Sequence, residues 1–522
     1  MCSVLIKSLM SSGVLESNFT GNVRHIETHI SHVFITNKYA YKLKKPINYD
    51  FADFSTLSKR KNACMEEIRL NSRMEPDIYK RVLCVYKKNG QYTVGSNGNE
   101  KDIIDYLVKM IKLPDDGMLI NVIRFGKLTS KYVEDTASKI AKFHSKVEKG
   151  GGLSQFATVT EIQKLVKQNF EQTYPYVGET LSQRQYDLLK EYFNHFLEKN
   201  IPLFDKRIVT NNIVDGHGDI HIGNICVVDT NIVIFDCIEF NQAFRAGDTI
   251  SDIAFLAMDF DQHGLSSESN QLLNTYLELT MDYEGVELLM FYLIYRAFVR
   301  GKVISFMLDN LRCEQRNNLI IEAKRYFDLA NHYLSCKSFG MIITCGISGS
   351  GKSHIAKYLA SHLGGFIIRS DAVRKYKSQD KSSTIQNYKE REDLYEKENN
   401  DKIYNKILDY AKHIIKSNRW AILDATFLLR VQREKVAKYA AINECPFIIV
   451  YCNTKLELAR NRVYFRSINK LDISEAYPLL VKEQKTILEP PASEEGSIIE
   501  WDGESNMDDL LAQINAVTSV SQ

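Results

Sequence analysis

In the last third of the chain, short apolar runs alternate with longer stretches whose apolar residues recur every three or four positions. The runs lie at 341–345, 365–369, 420–424, 446–452 and 496–501, and the stretch after the first carries Ile355, Ala356, Leu359 and Leu363 at helical spacing. Strand alternating with helix in this way predicts an α/β unit built on a parallel sheet. The front of the chain has a different pattern. Alternating runs at 33–43, turning at Asn37 and Lys38, and at 81–95, turning at Asn89 and Gly90, predict hairpins, and 118–125 predicts a further strand. Helical spacing covers 55–74, 136–147, 159–170, 182–197, 286–308 and 318–335. The expected order is a small β-rich lobe over about 1–127, a helical lobe over about 128–337, and an α/β domain over 338–522. This is an α+β bilobal unit followed by an α/β unit. The junction at Cys336 to Phe339 has no Pro- or Gly-rich linker, so the two domains are expected to pack on each other.

Length supports more than one domain, since 522 residues exceed what one compact core accommodates. A net charge of +2 gives no global field for a nucleic-acid groove or a membrane surface, so membrane is not expected as a partner and nucleic acid is disfavoured without being excluded. The most apolar helix, 286–308, carries Glu287, Arg296, Arg300 and Lys302 and reads as a buried helix rather than a span. The ten cysteines are scattered without metal-ligand spacing, as in a reduced cytoplasmic chain, and residues 1–14, broken by Lys7, do not read as a cleaved leader.

Chemistry enters first at Gly346-Ile-Ser348-Gly349-Ser350-Gly351-Lys352-Ser353, which fits G-x-x-x-x-G-K-[ST] between a predicted strand and a predicted helix. Glycines there let backbone N–H groups close around phosphate oxygens at a helix N-terminus, Lys352 reaches the β- and γ-phosphates of ATP, and Ser353 ligates Mg²⁺. In a parallel sheet ligands lie at the carboxyl ends of strands, which draws attention to Asp371 and Arg374 after the second strand and to Asp424 at the end of the third. Asp371 is the candidate general base toward an acceptor hydroxyl, or a helix cap. Asp424 is a candidate Mg²⁺ carboxylate. Arg462 and Arg466 share a helix face as candidates for charge on the transferring group, or as part of a solvated face.

A second constellation begins at His217-Gly-Asp219, followed five residues after the aspartate by Asn224 and then by an apolar hairpin ending in Asp236. In H-x-D-x-x-x-x-N loops the Asp orients the attacking hydroxyl, while the Asn and a later Asp hold Mg²⁺. Upstream, Lys42 lies on a predicted strand, and Glu66 or Glu67 on the next helix can pair with it, as in kinase-like folds.

These residues resemble the aminoglycoside phosphotransferase branch of the kinase-like fold. Tyr39-Ala-Tyr-Lys-Leu-Lys-Lys-Pro46, Asp53-Phe-Ser-Thr-Leu, Phe235-Asp-Cys-Ile-Glu-Phe-Asn241 and Ser251-Asp252-Ile-Ala-Phe-Leu resemble bacterial two-domain proteins that join such a unit to a P-loop kinase. The resemblance implies nucleotide binding by Lys42, metal binding by Asn224 and Asp236, and catalysis by Asp219. Asp252 resembles a residue that braces the catalytic loop, with a helix cap as the alternative. The spacing of Asp371 and Arg374 resembles P-loop kinases of the gluconate kinase, polynucleotide kinase and zeta-toxin type. Together these imply a bifunctional ATP-dependent phosphotransferase whose partners are nucleotide and an unidentified hydroxyl-bearing acceptor. The alternatives are an ATP-binding regulator without a small-molecule acceptor, and a P-loop kinase acting on nucleotide or nucleic-acid hydroxyls. The polar stretch 377–401 is expected to be an insertion over the acceptor site.

Overall fold

The computed structural model describes residues 2–11, 13–16, 19–49, 52–96, 98–310, 314–335, 338–379, 397–469 and 478–519. The chain divides into two compact units, Met1–Glu171 with Tyr192–Asp259, and Gln172–Glu191 with Phe260–Gln522. The helices between 260 and 335, assigned from the sequence to the first domain, thus group with the second unit.

In the first unit, β1 (Arg24–Glu27), β2 (Ser31–Ile35) and β3 (Tyr39–Lys44) form a meander, with a short ribbon of β4 (Asn48–Tyr49) and β5 (Ala52–Asp53) beyond it. The second hairpin is β6 (Tyr79–Lys88) and β7 (Gln91–Gly95), whose two turn residues, Asn89 (φ 50°) and Gly90 (φ 81°), are both left-handed, as a two-residue hairpin turn that follows strand twist requires. Between the two lies β8 (Ile103–Ile111), not foreseen from the sequence, which pairs antiparallel with both β3 and β6 and completes the order β1-β2-β3-β8-β6-β7.

Alternation along β3 sends Tyr41 and Leu43 into one apolar cluster with Phe34, Val85 and Leu107. Ala40, Lys42 and Lys44 occupy the opposite face, where Ala40 packs with Cys64 of the helix Leu57–Asn71. Thr56 caps that helix by accepting from Lys59 N. Two lysines and a helix are therefore on one side of the sheet for purely periodic reasons.

The strand expected at 118–125 is instead a short helix, Leu119–Arg124. Its buried residues, Leu119 and Val122, are three apart, while Ile120 is exposed. A strand would have placed polar Asn121 on the same face as Leu119. The expected helices form over Ser130–Lys146, Val159–Thr173, Gln183–Lys199, Val286–Met307 and Glu314–Ser335. Around the second constellation, β9 (Ile213–Asp215) pairs with β12 (Ala246–Asp248), and β10 (Ile225–Val228) pairs with β11 (Asn231–Ile234).

In the second unit, β13 (Gly340–Cys345), β14 (Phe366–Arg369), β15 (Trp420–Asp424), β16 (Phe447–Cys452) and β17 (Ser497–Trp501) form a wholly parallel sheet in the order β14-β15-β13-β16-β17. The central β13 is buried along its whole length, which is why it reads as a continuous apolar run. Helix Lys352–Leu363 packs Ile355, Ala356 and Leu359 into the core against Ile342, Ile422 and Val450. The edge strand β14 is covered by the helix Ser266–Thr280 and the segment after it. Asn274 accepts from Ile367 N at 2.7 Å, the Asn270 and Asn274 amides each donate to Gly365 O at 3.0 Å, and Tyr283 OH donates to Ile367 O at 2.7 Å. Side chains thus satisfy an edge that would otherwise present unpaired backbone groups. No helix among the described residues is long and apolar enough to cross a membrane.

Candidate active sites

In the first unit the two lysines of β3 meet a chain of carboxylates. Lys42 Nζ lies 3.1 Å from Glu67 Oε1 and 2.5 Å from Asp236 Oδ1. Lys44 Nζ lies 2.5 Å from Glu67 Oε2 and also pairs with Glu239. Glu67 therefore spans both lysines, and the order of charges is Asp236, Lys42, Glu67, Lys44, Glu239. Lys44 and Glu67 have fully buried side chains and Glu239 nearly so, whereas the Asp236 side chain is 39% exposed. Glu66, the other candidate partner of Lys42, does not reach it. One position along the helix it turns outward, where it pairs with Arg69 and sits 3.5 Å from Arg245.

Burial alone would raise the Glu67 carboxyl, but Lys42 and Lys44 outweigh it and hold the group down at about 2. Burial opposes the charge on Lys42, yet Asp236, Glu67 and Glu239 raise it well above the ordinary lysine range. Burial dominates at Glu239, which is raised despite Lys44.

The loop from 215 to 224 is held by side chains far away in sequence. Asp252 accepts from His217 N at 2.8 Å and Gly218 N at 2.9 Å, so it braces the loop. Asp259, about two turns further along the same helix, accepts from Ile222 N at 2.9 Å. Arg73 donates to Asp215 Oδ2 and Gly216 O, both at 2.9 Å, and Arg245 donates to Asp215 Oδ1 at 2.7 Å. Arg73, Arg245 and Asp259 were not singled out from the sequence, since nothing in their local pattern separates them from surface charges. His217 Nδ1 accepts from Asp219 N at 3.3 Å, and burial pushes this imidazole below its usual range.

Asn224 Nδ2 donates to both the backbone oxygen and Oδ2 of Asp219, each at 3.0 Å. This commits the amide nitrogen and leaves the amide oxygen for another partner. Asp236 has φ 65°, a left-handed conformation uncommon for a residue other than Gly, Asn or Asp. It is fixed there because Asp236 N donates to Tyr79 OH at 3.0 Å and Cys237 N donates to Asn71 Oδ1 at 2.9 Å. An amide oxygen and a partly exposed carboxylate form a hard-oxygen set suited to Mg²⁺, which takes one or two protein ligands and completes its shell with phosphate and water. Among the described residues there is no group of three or more His, Cys, Asp or Glu that would suggest a dedicated metal cage.

In the second unit, residues 346–353 turn between β13 and the helix Lys352–Leu363. Gly349 (φ 81°) and Gly351 (φ 95°) are required by both conformation and space. A Cβ on Gly349 would stand 2.3 Å from Ala459 O, and one on Gly351 would stand 2.6 Å from Trp501 Cζ3. Lys352 Nζ donates to Ile347 O at 2.6 Å, and burial pushes this ammonium below the usual lysine range against the pull of Asp424.

Asp371 stands in the first turn of the helix Ser370–Gln379, directly after β14, and pairs with Arg374 at 3.1 Å. Asp424, at the end of β15, lies 3.5 Å from Arg369 and accepts from Thr344 Oγ1 at 3.4 Å. Arg462 Nη2 donates to Gly503 O at 2.9 Å. The Arg466 side chain and residues 380–396 of the expected insertion lie outside the described residues. A cleft of about 1400 Å³ is lined by Lys352, Ser353, Asp371, Arg374, Asp424 and Arg462, so the structure brings these six expected residues together. Ser353 and Asp424 offer a hydroxyl and a carboxylate oxygen to a Mg²⁺ bound with phosphates. The same cleft takes in Gln484 and Trp501, which the sequence reading missed. Trp501 ends a strand and fell under the carboxyl-end rule, whereas Gln484 carried no signal.

Fold and site define an α/β unit with a G-x-x-x-x-G-K-[ST] loop between the central parallel strand and its helix, and an α+β unit built on an antiparallel sheet. Residues 341–491 match the family model described as AAA domain. An uncharacterized protein of Mycobacterium tuberculosis (strain ATCC 25618 / H37Rv) is 26% identical over 442 residues, covering 84% of this chain and 86% of its own. An uncharacterized protein of Mycobacterium bovis matches to the same extent. Among solved structures, a choline/ethanolamine kinase family protein from Mesorhizobium loti overlaps 64% of this chain and 96% of its own, at 11% identity and TM-score 0.40. A gluconokinase from Sinorhizobium meliloti 1021 overlaps 36% of this chain and 95% of its own, at 16% identity and TM-score 0.25.

Proposed function

We propose that the chain is a bifunctional ATP-dependent phosphotransferase, with one site in each unit and a hydroxyl-bearing small molecule as acceptor at each. The observation that carries this reading is the shared cleft of the second unit, where the phosphate-loop Lys352 and the acidic Asp371 line one space. A nucleotide-binding regulator has use for the first but not for the second. The Lys42–Glu67 pair, set beside Asp219, Asn224 and Asp236, supports the same chemistry in the first unit.

In the second unit the acceptor hydroxyl attacks the γ-phosphorus of ATP, the new O–P bond forms as the bond to the β-phosphate oxygen breaks, and ADP leaves. Asp371 takes the hydroxyl proton, and Arg374, 3.1 Å from it, keeps the carboxylate aimed. Lys352 and the backbone amides of the loop hold the phosphates, and Arg462 contributes charge to the transferring group. In the first unit Lys42 holds phosphates, Glu67 orients Lys42, and Asp219 is the base, held by Asn224 and by the loop that Asp252 braces. Asn224 and Asp236 in one unit, and Ser353 and Asp424 in the other, would hold Mg²⁺, which supplies charge neutralisation between phosphate oxygens. Most of the catalysis expected of such sites is positioning and electrostatics.

Titration of the full chain with a non-hydrolysable ATP analogue tests this. At ligand concentrations that saturate the wild type, the reading predicts two nucleotides per chain, and one at the same concentrations in Lys42→Ala and in Lys352→Ala, whose altered site binds only at higher concentration. A stoichiometry of one in the wild type, unaffected by one of the two variants, would remove the corresponding site.

A further inference from the structure

The phosphate loop is held by a residue outside it. Ser348 N donates to Gln484 Oε1 at 2.7 Å, and Gln484 is only 7% exposed, on the helix Pro478–Ile487. The orientation of the carboxamide is not in question. A backbone N–H can only donate, so the side-chain oxygen must face the loop. The same helix grips the loop a second time, since Val481, fully buried, packs in one cluster with Ile347, Ala459 and Val463.

The bonded N–H belongs to the peptide joining Ile347 to Ser348. The carbonyl of that same peptide accepts from Lys352 Nζ at 2.6 Å. One planar unit is therefore held from both sides, by Gln484 at its N–H, and at its oxygen by Lys352 together with Ser350 N at 3.2 Å. Rotation of this peptide would carry the oxygen away from the lysine, and a planar peptide cannot move one end without the other. A hydrogen bond at the N–H also polarises the carbonyl and strengthens its hold on the ammonium.

We infer that Gln484 is a positioning residue of the second nucleotide site, acting on Lys352 through the peptide between Ile347 and Ser348. The inference rests on the nucleotide-binding reading of the loop and adds to it a residue from a different element, over a hundred positions away. It places the helix Pro478–Ile487 in the machinery that sets the lysine and not only in the wall of the cleft. A chain with Lys352 but without this acceptor would hold the same lysine on a peptide tethered at its oxygen alone.

The test is a double-mutant cycle on the full chain, read as affinity for a fluorescent ATP analogue at the second site in a Lys42→Ala background, so that the first site is silent. Gln484→Met keeps length and packing and removes the acceptor, and Gln484→Ala serves as a second variant. Thermal unfolding checks that both fold. Gln484→Met should weaken binding about fivefold, the size expected of one neutral hydrogen bond. In a Lys352→Ala background it should change nothing further, because the residue through which it acts is gone. An equal loss with and without Lys352, which a merely structural role would produce, overturns the inference while leaving the loop as a nucleotide site. So does an unchanged affinity in both Gln484 variants. If Lys352→Ala itself binds as tightly as its parent, the nucleotide reading of the loop fails and the inference fails with it.

Discussion

Lys44 offers a sharp test of the buried charge chain, because its side chain is fully buried and the mechanism gives it no contact with the nucleotide. It lies within a fully buried group, with Glu67 on one side and Glu239 on the other, and its ammonium stands 5.5 Å from the centre of the Phe54 ring. Replacing it with Met keeps the apolar stem but leaves Glu239 without its cation and Glu67 with Lys42 alone. Removing one partner of a buried ion pair costs about 3–5 kcal/mol, since an uncompensated charge stays in a poorly solvated place. For a unit of this size each kcal/mol lowers the melting temperature by about 2–4 °C, so Lys44→Met should lower the first transition by roughly 6–20 °C. Adding Glu239→Leu should restore much of that loss, because the orphaned charge is then removed as well. Calorimetry of the full chain, which resolves the two units as separate transitions if they unfold independently, is the assay. A Lys44→Met shift below about 2 °C, or a double variant worse than the single one by a further full increment, would refute the picture of one continuous buried network.

Three further outcomes follow from the same geometry. Asp252→Ala removes the acceptor for two loop N–H groups and should cost about 2–4 kcal/mol, with loss of turnover in the first unit only, as measured by denaturant unfolding and by transfer assays. Gly351→Ala should abolish nucleotide binding in the second unit while leaving the first intact, because the residue sits at φ 95° with its added carbon 2.6 Å from Trp501, and equilibrium dialysis reads this directly. Glu67 is held at about 2 against an ordinary 4.5, so its contribution is complete above pH 4.5 and is lost as pH falls toward 2. The difference in stability between wild type and Glu67→Gln should therefore shrink across that window, and a difference independent of pH there would contradict the assignment.

The second unit was more legible than the first, and the reason is local. Each strand of its sheet is a short apolar run, the candidates Lys352, Asp371 and Asp424 lie at or just after strand ends, and the phosphate loop is contiguous, so these three could be placed from spacing alone. In the first unit Lys42 and Glu67 were visible as a pair, but the choice between Glu66 and Glu67 depended on which helix face the sheet covers. The central strand Ile103–Ile111 was missed because it bears no turn signal and pairs with strands distant in sequence. The helix at Leu119–Arg124 read as a strand because its run is too short for periodicity to decide. Gln484, Arg73 and Arg245 were illegible for a different reason: their partners are backbone groups or carboxylates brought close only by the tertiary fold. The edge of β14 belongs with these, since nothing in the local pattern of Asn270, Asn274 or Tyr283 says that they stitch a distant strand.

The central claim is that two independent sites each transfer a phosphoryl group. Incubating the full chain with γ-labelled ATP and a small-molecule fraction of cell extract, then separating labelled products for wild type, Asp219→Asn and Asp371→Asn, measures it directly. The account predicts labelled species that vanish with one variant and persist with the other, and a different set that does the reverse. Loss of every product with a single variant, or none with either, would contradict it.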